Sequence, residues 1–163
     1  DPAVRKMGTI GGSIANSAPA AAWPAAILAL KANTDTNNRI ILNRDLFIGM
    51  FETSLEENEI ITSIEIQVPD FFDYIKFPNP ASRYAIVGVA IAKYDSNVIV
   101  TVSGASHKPF IADALSESLS KNFSSNIPLK TISLDELNED IHASAEYRAN
   151  LIDVLTKKII KNN

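Results

Sequence analysis

Gly8-Thr9-Ile10-Gly11-Gly12-Ser13 places three glycines within five residues, directly before Ile14-Ala15-Asn16. A tight glycine turn that opens a helix exposes backbone N–H groups without side-chain obstruction. Together with the positive end of the helix, those amides suit a phosphate or pyrophosphate. The spacing matches neither the dinucleotide fingerprint nor the P-loop with its Gly-Lys-Ser/Thr ending. Spacing alone therefore leaves two readings open: an anion cradle, or a turn that needs positive φ and close packing.

Other reactive side chains are sparse. A zinc site built on His107 and His142 needs a further ligand at defined spacing, and the sequence offers no such cluster, so both read as loop or helix-end residues. No Gly-x-Ser-x-Gly nucleophile elbow surrounds any serine. Ser103-Gly104-Ala105-Ser106-His107 sets a serine beside a histidine in sequence, which does not make a dyad in space. Glu56, Glu57 and Glu59 read as a solvated charged run. Lys76 and Tyr84 flank a proline loop, where they suit an anionic or aromatic ligand, or equally an exposed charge and a half-buried ring.

Composition narrows the classes further. The 163 residues include no cysteine, 46% are hydrophobic and the formal net charge is −4. That excludes a disulfide scaffold, a thiol nucleophile and an iron–sulfur cluster ligated by this chain. No apolar run approaches a membrane span, and a mildly acidic balance without a basic stripe disfavours nucleic acid. The chain opens at Asp1 without an initiator methionine or signal-peptide pattern, so a segment removed upstream or a longer parent is expected.

The elements that must position these residues follow from periodicity. Ala20 to Ala32 reads as a helix with Pro24 in its first turn, 33–38 as a polar turn, and 39–42 as a short strand before a short helix at 43–47. Leu55 to Val68 alternates with Ile60, Thr62, Ile64, Ile66 and Val68 on one face, a half-buried strand ending at Pro69. Tyr74 to Phe77, Ile86 to Tyr94 and Asn97 to Ser103 suit strands of a meander. Helices are predicted at 112–119, 133–139 and 143–161, the last with Leu151, Val154, Leu155 and Ile159 on its apolar face.

Four stretches carry a resemblance. They are Val4 to Asn16, Glu59 to Ile66, Lys76-Phe77 with Pro80 to Ala85, and Asp140-Ile141-His142-Ala143-Ser144-Ala145-Glu146-Tyr147-Arg148. In this order they resemble the FAD-binding medium subunit of molybdenum hydroxylases, of the aerobic carbon monoxide dehydrogenase type. The resemblance implies an α+β fold with two parts. Residues 1–69 would form the second FAD-binding subdomain of the vanillyl-alcohol-oxidase-like flavoprotein fold, and 70–163 a C-terminal antiparallel-sheet-and-helix domain.

The same resemblance implies that Thr9, Ile10, Gly11, Gly12 and Ser13 grip the FAD pyrophosphate, with Asn16 near that pocket. It implies Ile61 against the adenine-side or flavin-side wall, Lys76 and Tyr84 close to the flavin, and no metal. The implied partners are a molybdenum-cofactor large subunit and an iron–sulfur small subunit, feeding electrons to FAD. The implied location is cytoplasmic, at the inner face of the cytoplasmic membrane where partners hold the chain there. Two departures stand out. Ala22 occupies a position where the family usually carries an aspartate, and only seven residues precede Gly8, where the family's first FAD subdomain belongs. Both favour a second expectation, a cofactor-free fragment that keeps only subunit-docking surfaces.

Overall fold

A computed structural model describes residues 2–126 and 132–162. Its first half holds α1 (Pro2–Met7), α2 (Ile10–Asn16), α3 (Ala22–Ala29), β1 (Asn33–Thr36), β2 (Ile40–Leu42) and α4 (Asn43–Leu46). The hairpin β3 (Phe47–Gly49) and β4 (Glu52–Thr53) follows, then β5 (Ile61–Glu65). The strands β2-β1-β5 form an antiparallel sheet with β1 in the centre. The second half holds β6 (Phe71–Pro78), β7 (Ala85–Tyr94), β8 (Asn97–Ser103), β9 (Phe110–Ile111), α5 (Asp113–Lys121), a short 3-10 helix (Leu134–Glu136) and α6 (Ala145–Lys161). Its four strands run as an antiparallel meander in chain order.

The meander's two faces differ in residue size, and that difference organises the molecule. On β7 the odd positions Val87, Val89 and Ile91 join Val98, Val100 and Val102 of β8 in one core with Leu115, Leu119, Leu151, Ile152, Leu155 and Ile159 of the helices. The even positions are Gly88, Ala90 and Ala92, small residues that leave room for a helix to approach closely. The alanine-rich α3 fills that room: Ala29 shares a cluster with Ala90, Ala92, Tyr94 and Ile99. On another side of α3, Ile27 and Leu28 pack with Ile14, Ile41, Leu46 and Phe47 of the first half. A helix buried on nearly all sides needs no polar stripe, which is why its sequence shows none.

Hydrogen bonds fix α3 to the meander. Thr101 Oγ1 donates to Ala25 O at 2.7 Å, and the Tyr94 hydroxyl lies 3.3 Å from Ala29 O and 3.1 Å from Gln67 O. Gly104 N–H donates to Pro19 O at 2.7 Å, tying the α2–α3 connection to the end of β8. Gly104 sits at φ +78°, where a side chain would collide with the Ala85 and Ile86 carbonyls.

Several predicted elements take a different form. The polar turn expected at 33–38 is largely strand β1, because Thr34 is fully buried and its hydroxyl is satisfied by Asn43 Oδ1. The strand expected over 55–68 shortens to β5. Its register shifts between Asp35 and Thr36, so that Thr36 faces Ile61 and Asp35 faces Ser63. That bulge breaks the alternation. Ile61 and Ile64 pack on the first-half core, while Ile60, Ile66 and Val68 of the expected inner face are exposed. On α6 the inner face carries Ile152 in place of Val154, which is 47% exposed. Among the described residues no helix is long and apolar enough to cross a membrane.

Candidate cofactor cradle

Gly11 and Gly12 lie in the first turn of α2 and Gly8 just before its N-cap, so the helix begins inside the glycine segment rather than after it. None of Gly8, Gly11 and Gly12 has positive φ. Thr9 is the N-cap of α2, in extended conformation, and its hydroxyl accepts the Gly12 N–H at 3.0 Å. A Cβ on Gly12 would sit 2.8 Å from Thr9 Oγ1 and would push that capping hydroxyl aside. Gly11 is different: a Cβ on it would meet nothing within 4 Å and would stand in open space beside the first-turn amides. The first N–H groups of a helix have no carbonyl partner inside it. An open, side-chain-free surface beside such amides fits a phosphate-bearing group, so the residues present are compatible with FAD.

The nine residues expected at the site fall into two groups. Thr9, Ile10, Gly11, Gly12 and Ser13 cluster at the start of α2, with Thr9 and Ile10 exposed. Asn16 is the last residue of the same helix, roughly 9 Å along its axis from Ile10. Ile61 opens β5, against which α2 packs, and it shares an apolar cluster with Ile14. The second group lies on the meander. Lys76 is near the end of β6, and its Nζ donates to Arg83 O at 3.0 Å, which folds the 79–84 loop back onto the strand. Tyr84 precedes β7 and is 56% exposed. Among the described residues no hydrogen bond joins the two groups directly. The Gly104–Pro19 bond connects them through the α2–α3 loop.

A polar network beside β5 was not legible as such. Glu59, expected in a solvated run, has a side chain fully shielded from solvent, whereas Glu56 and Glu57 are exposed. Its Oε1 accepts from Thr36 Oγ1 at 2.7 Å and Arg39 Nε at 3.1 Å. Its Oε2 accepts from Arg39 Nη2 at 3.2 Å and the Glu56 N–H at 2.8 Å. The Arg39 guanidinium, the Glu56 amide and the Thr36 hydroxyl together hold the carboxyl down to about 2. A carboxylate 20 residues from its arginine leaves no periodic signature, so only burial reveals the pair.

The remaining candidates stay outside this site. The Ser106 hydroxyl lies 3.2 Å from His107 Nδ1, yet His107 is exposed and, among the described residues, no carboxylate hydrogen-bonds its ring. His142 is exposed in the turn before α6, with its N–H bonded to Asp140 Oδ1. No group of three or more His, Cys, Asp or Glu suited to a metal occurs among the described residues.

Comparison with known proteins begins with the segment that holds the glycine turn. Residues 1–69, which contain the capped glycine turn, match the family described as FAD binding domain in molybdopterin dehydrogenase. Over nearly its whole length, the chain is similar to proteins named as the medium chain of a dehydrogenase and the medium subunit of a hydroxylase. It is 33% identical to the glyceraldehyde dehydrogenase medium chain of Sulfolobus acidocaldarius, a match covering 99% of this chain and 63% of that one. It is 34% identical to the carbon monoxide dehydrogenase medium chain of Afipia carboxidovorans, over 64% of this chain and 36% of that one. The fold is shared with carbon monoxide dehydrogenase from Oligotropha carboxidovorans, with a TM-score of 0.79 at 24% identity over 99% of this chain and 62% of that one. The chain thus spans less than two thirds of the relatives it matches.

Proposed function

We propose that this chain is the FAD-holding, electron-transfer portion of a molybdenum-containing hydroxylase or dehydrogenase. The observation that carries the reading is the Thr9-capped first turn of α2, with open space at Gly11, inside the segment that matches FAD-binding domains. When bound, the flavin supplies the redox chemistry. The chain's own residues bind and orient it. The first-turn amides of Ile10 and Gly11 hold the pyrophosphate, with Thr9, Gly12 and Ser13 shaping the turn around it. Ile61 forms an apolar wall, and Asn16 lies at the rim. Lys76 offers a cation and Tyr84 an exposed ring on the meander side.

In this reading residues 1–69 are the second FAD-binding subdomain of a vanillyl-alcohol-oxidase-like flavoprotein, and 70–163 its C-terminal domain. A molybdenum-bearing large subunit and an iron–sulfur small subunit deliver the electrons, in a cytoplasmic complex. The relatives are named for glyceraldehyde, nicotine and carbon monoxide, which fits substrate choice residing on another subunit. Titration of the purified 163-residue chain with FAD tests the binding step. Quenched flavin fluorescence and a raised melting temperature are expected. Free-flavin fluorescence at saturating protein rejects the reading and leaves the docking fragment in its place.

A further inference from the structure

We infer that the Arg39–Glu59 pair is a positioning device for Ile61, and through it a determinant of how tightly the cradle holds FAD. The inference rests on the FAD reading above and concerns residues that do not themselves line the cradle.

Residues 54–60 lack regular secondary structure, yet they deliver the chain to the first residue of β5. What fixes them is the β1–β2 hairpin. Arg39 donates its Nη2 to Ser54 O at 2.7 Å as well as to Glu59, so one guanidinium grips both ends of the loop. The Glu59 carboxylate reaches back to Thr36, whose backbone partner across the sheet is Ile61 itself. Asn37 completes the template: its N–H donates to Ile60 O at 3.0 Å, and its Oδ1 accepts from Ile60 N–H at 2.8 Å. The register shift at Thr36 then turns Ile61 inward beside Ile14 of α2, the helix that carries the glycine turn. Each link is short and polar until the last, which is packing. Loss of the carboxylate releases the loop, frees the bulge to slip and lets Ile61 leave the wall.

The test is a cycle of FAD titrations on the 163-residue chain and on Glu59→Gln, Ile61→Ala and the double variant. Glu59→Gln is expected to weaken FAD binding about tenfold, the scale of a lost charge-assisted hydrogen bond. Because Glu59 acts through Ile61, the double variant should bind no more weakly than Ile61→Ala alone. Unchanged affinity in Glu59→Gln, or losses that simply add, overturn the inference while leaving the FAD reading intact. Absence of FAD binding by the unsubstituted chain removes both.

Amide exchange separates positioning from general stability. In Glu59→Gln, exchange should accelerate far more at residues 58–62 than in the meander. Equal acceleration throughout the chain, with no excess at residues 58–62, assigns the pair to stability alone and rejects the inference. Should Glu59→Gln not fold, Arg39→Lys keeps the charge and loses the two-point grip. A smaller loss of FAD affinity is expected there, and wild-type affinity counts against the proposal.

Discussion

The two halves of this chain are held together by different physics. The meander half is apolar: large β-branched residues of β7 and β8 interlock with α5 and α6, and the buried cation Arg148 stands out as an exception. The cradle half has a smaller apolar cluster and relies on polar links, Thr34 with Asn43 and Glu59 with Arg39 and Thr36. Volume governs the meander half, and individual hydrogen-bond partners govern the cradle half. A ligand-binding loop is well served by the second kind of construction, because each contact specifies a backbone position.

That contrast can be broken most forcefully in the meander. Ile152→Ala, at a site with 1% exposure, should cost about 2–5 kcal/mol by urea unfolding. A cost below about 1 kcal/mol would mean that the core collapses around the hole and is less tightly packed than the contrast requires. Next comes Arg148. Its Nη1 donates to Ile86 O at 2.7 Å and Gly104 O at 3.1 Å, and its Nη2 to Asp140 Oδ2 at 2.7 Å. Arg148→Met removes the guanidinium donor from both carbonyls and should cost about 2–3 kcal/mol. An unaffected melting temperature would show that solvent replaces the guanidinium.

The cradle half sharpens the comparison with smaller effects. Thr9→Ala removes an N-cap acceptor and should cost about 1 kcal/mol, together with weaker FAD binding. Gly11→Ala should separate stability from function. The methyl group enters open space and suits a helix, so stability should rise by up to about 1 kcal/mol while FAD affinity falls. If affinity is unchanged, the Gly11 amide does not face the ligand. The smallest effect is confined to acid. The Glu59 carboxyl is depressed from its ordinary 4.5 to about 2 in the folded chain. Its contribution is therefore complete above about pH 4.5 and is lost as pH falls through about 2. A pH series of melts should show that acid slope in the native chain and a flatter one in Glu59→Gln.

Legibility in the sequence followed the same division. Strands β7 and β8 and helix α6 announce themselves through runs of Val, Ile and Leu, since apolar burial leaves a periodic trace. β1 did not, because Asn33-Thr34-Asp35-Thr36 is a central strand whose buried hydroxyl is satisfied by a residue nine positions away. The outward and inward faces of β5 were exchanged in part because a bulge carries no composition signal at Thr62. The glycines single out the segment where α2 begins. Their conformation did not follow, since Thr9 makes the first turn of a regular helix out of them.

Helix α3 has a consequence for how the molecule comes apart. The chain crosses from one half to the other at Pro69, yet α3 lies between the small residues of the meander and the apolar cluster of the cradle half. Cutting the polypeptide at that crossing would strip Ala90, Ala92 and Tyr94 of their cover and leave α3 with a bare flank. The joint in the covalent chain is thus not a joint in cooperativity. Heat or denaturant should meet a single melting unit, and neither half is expected to survive as a separately expressed piece.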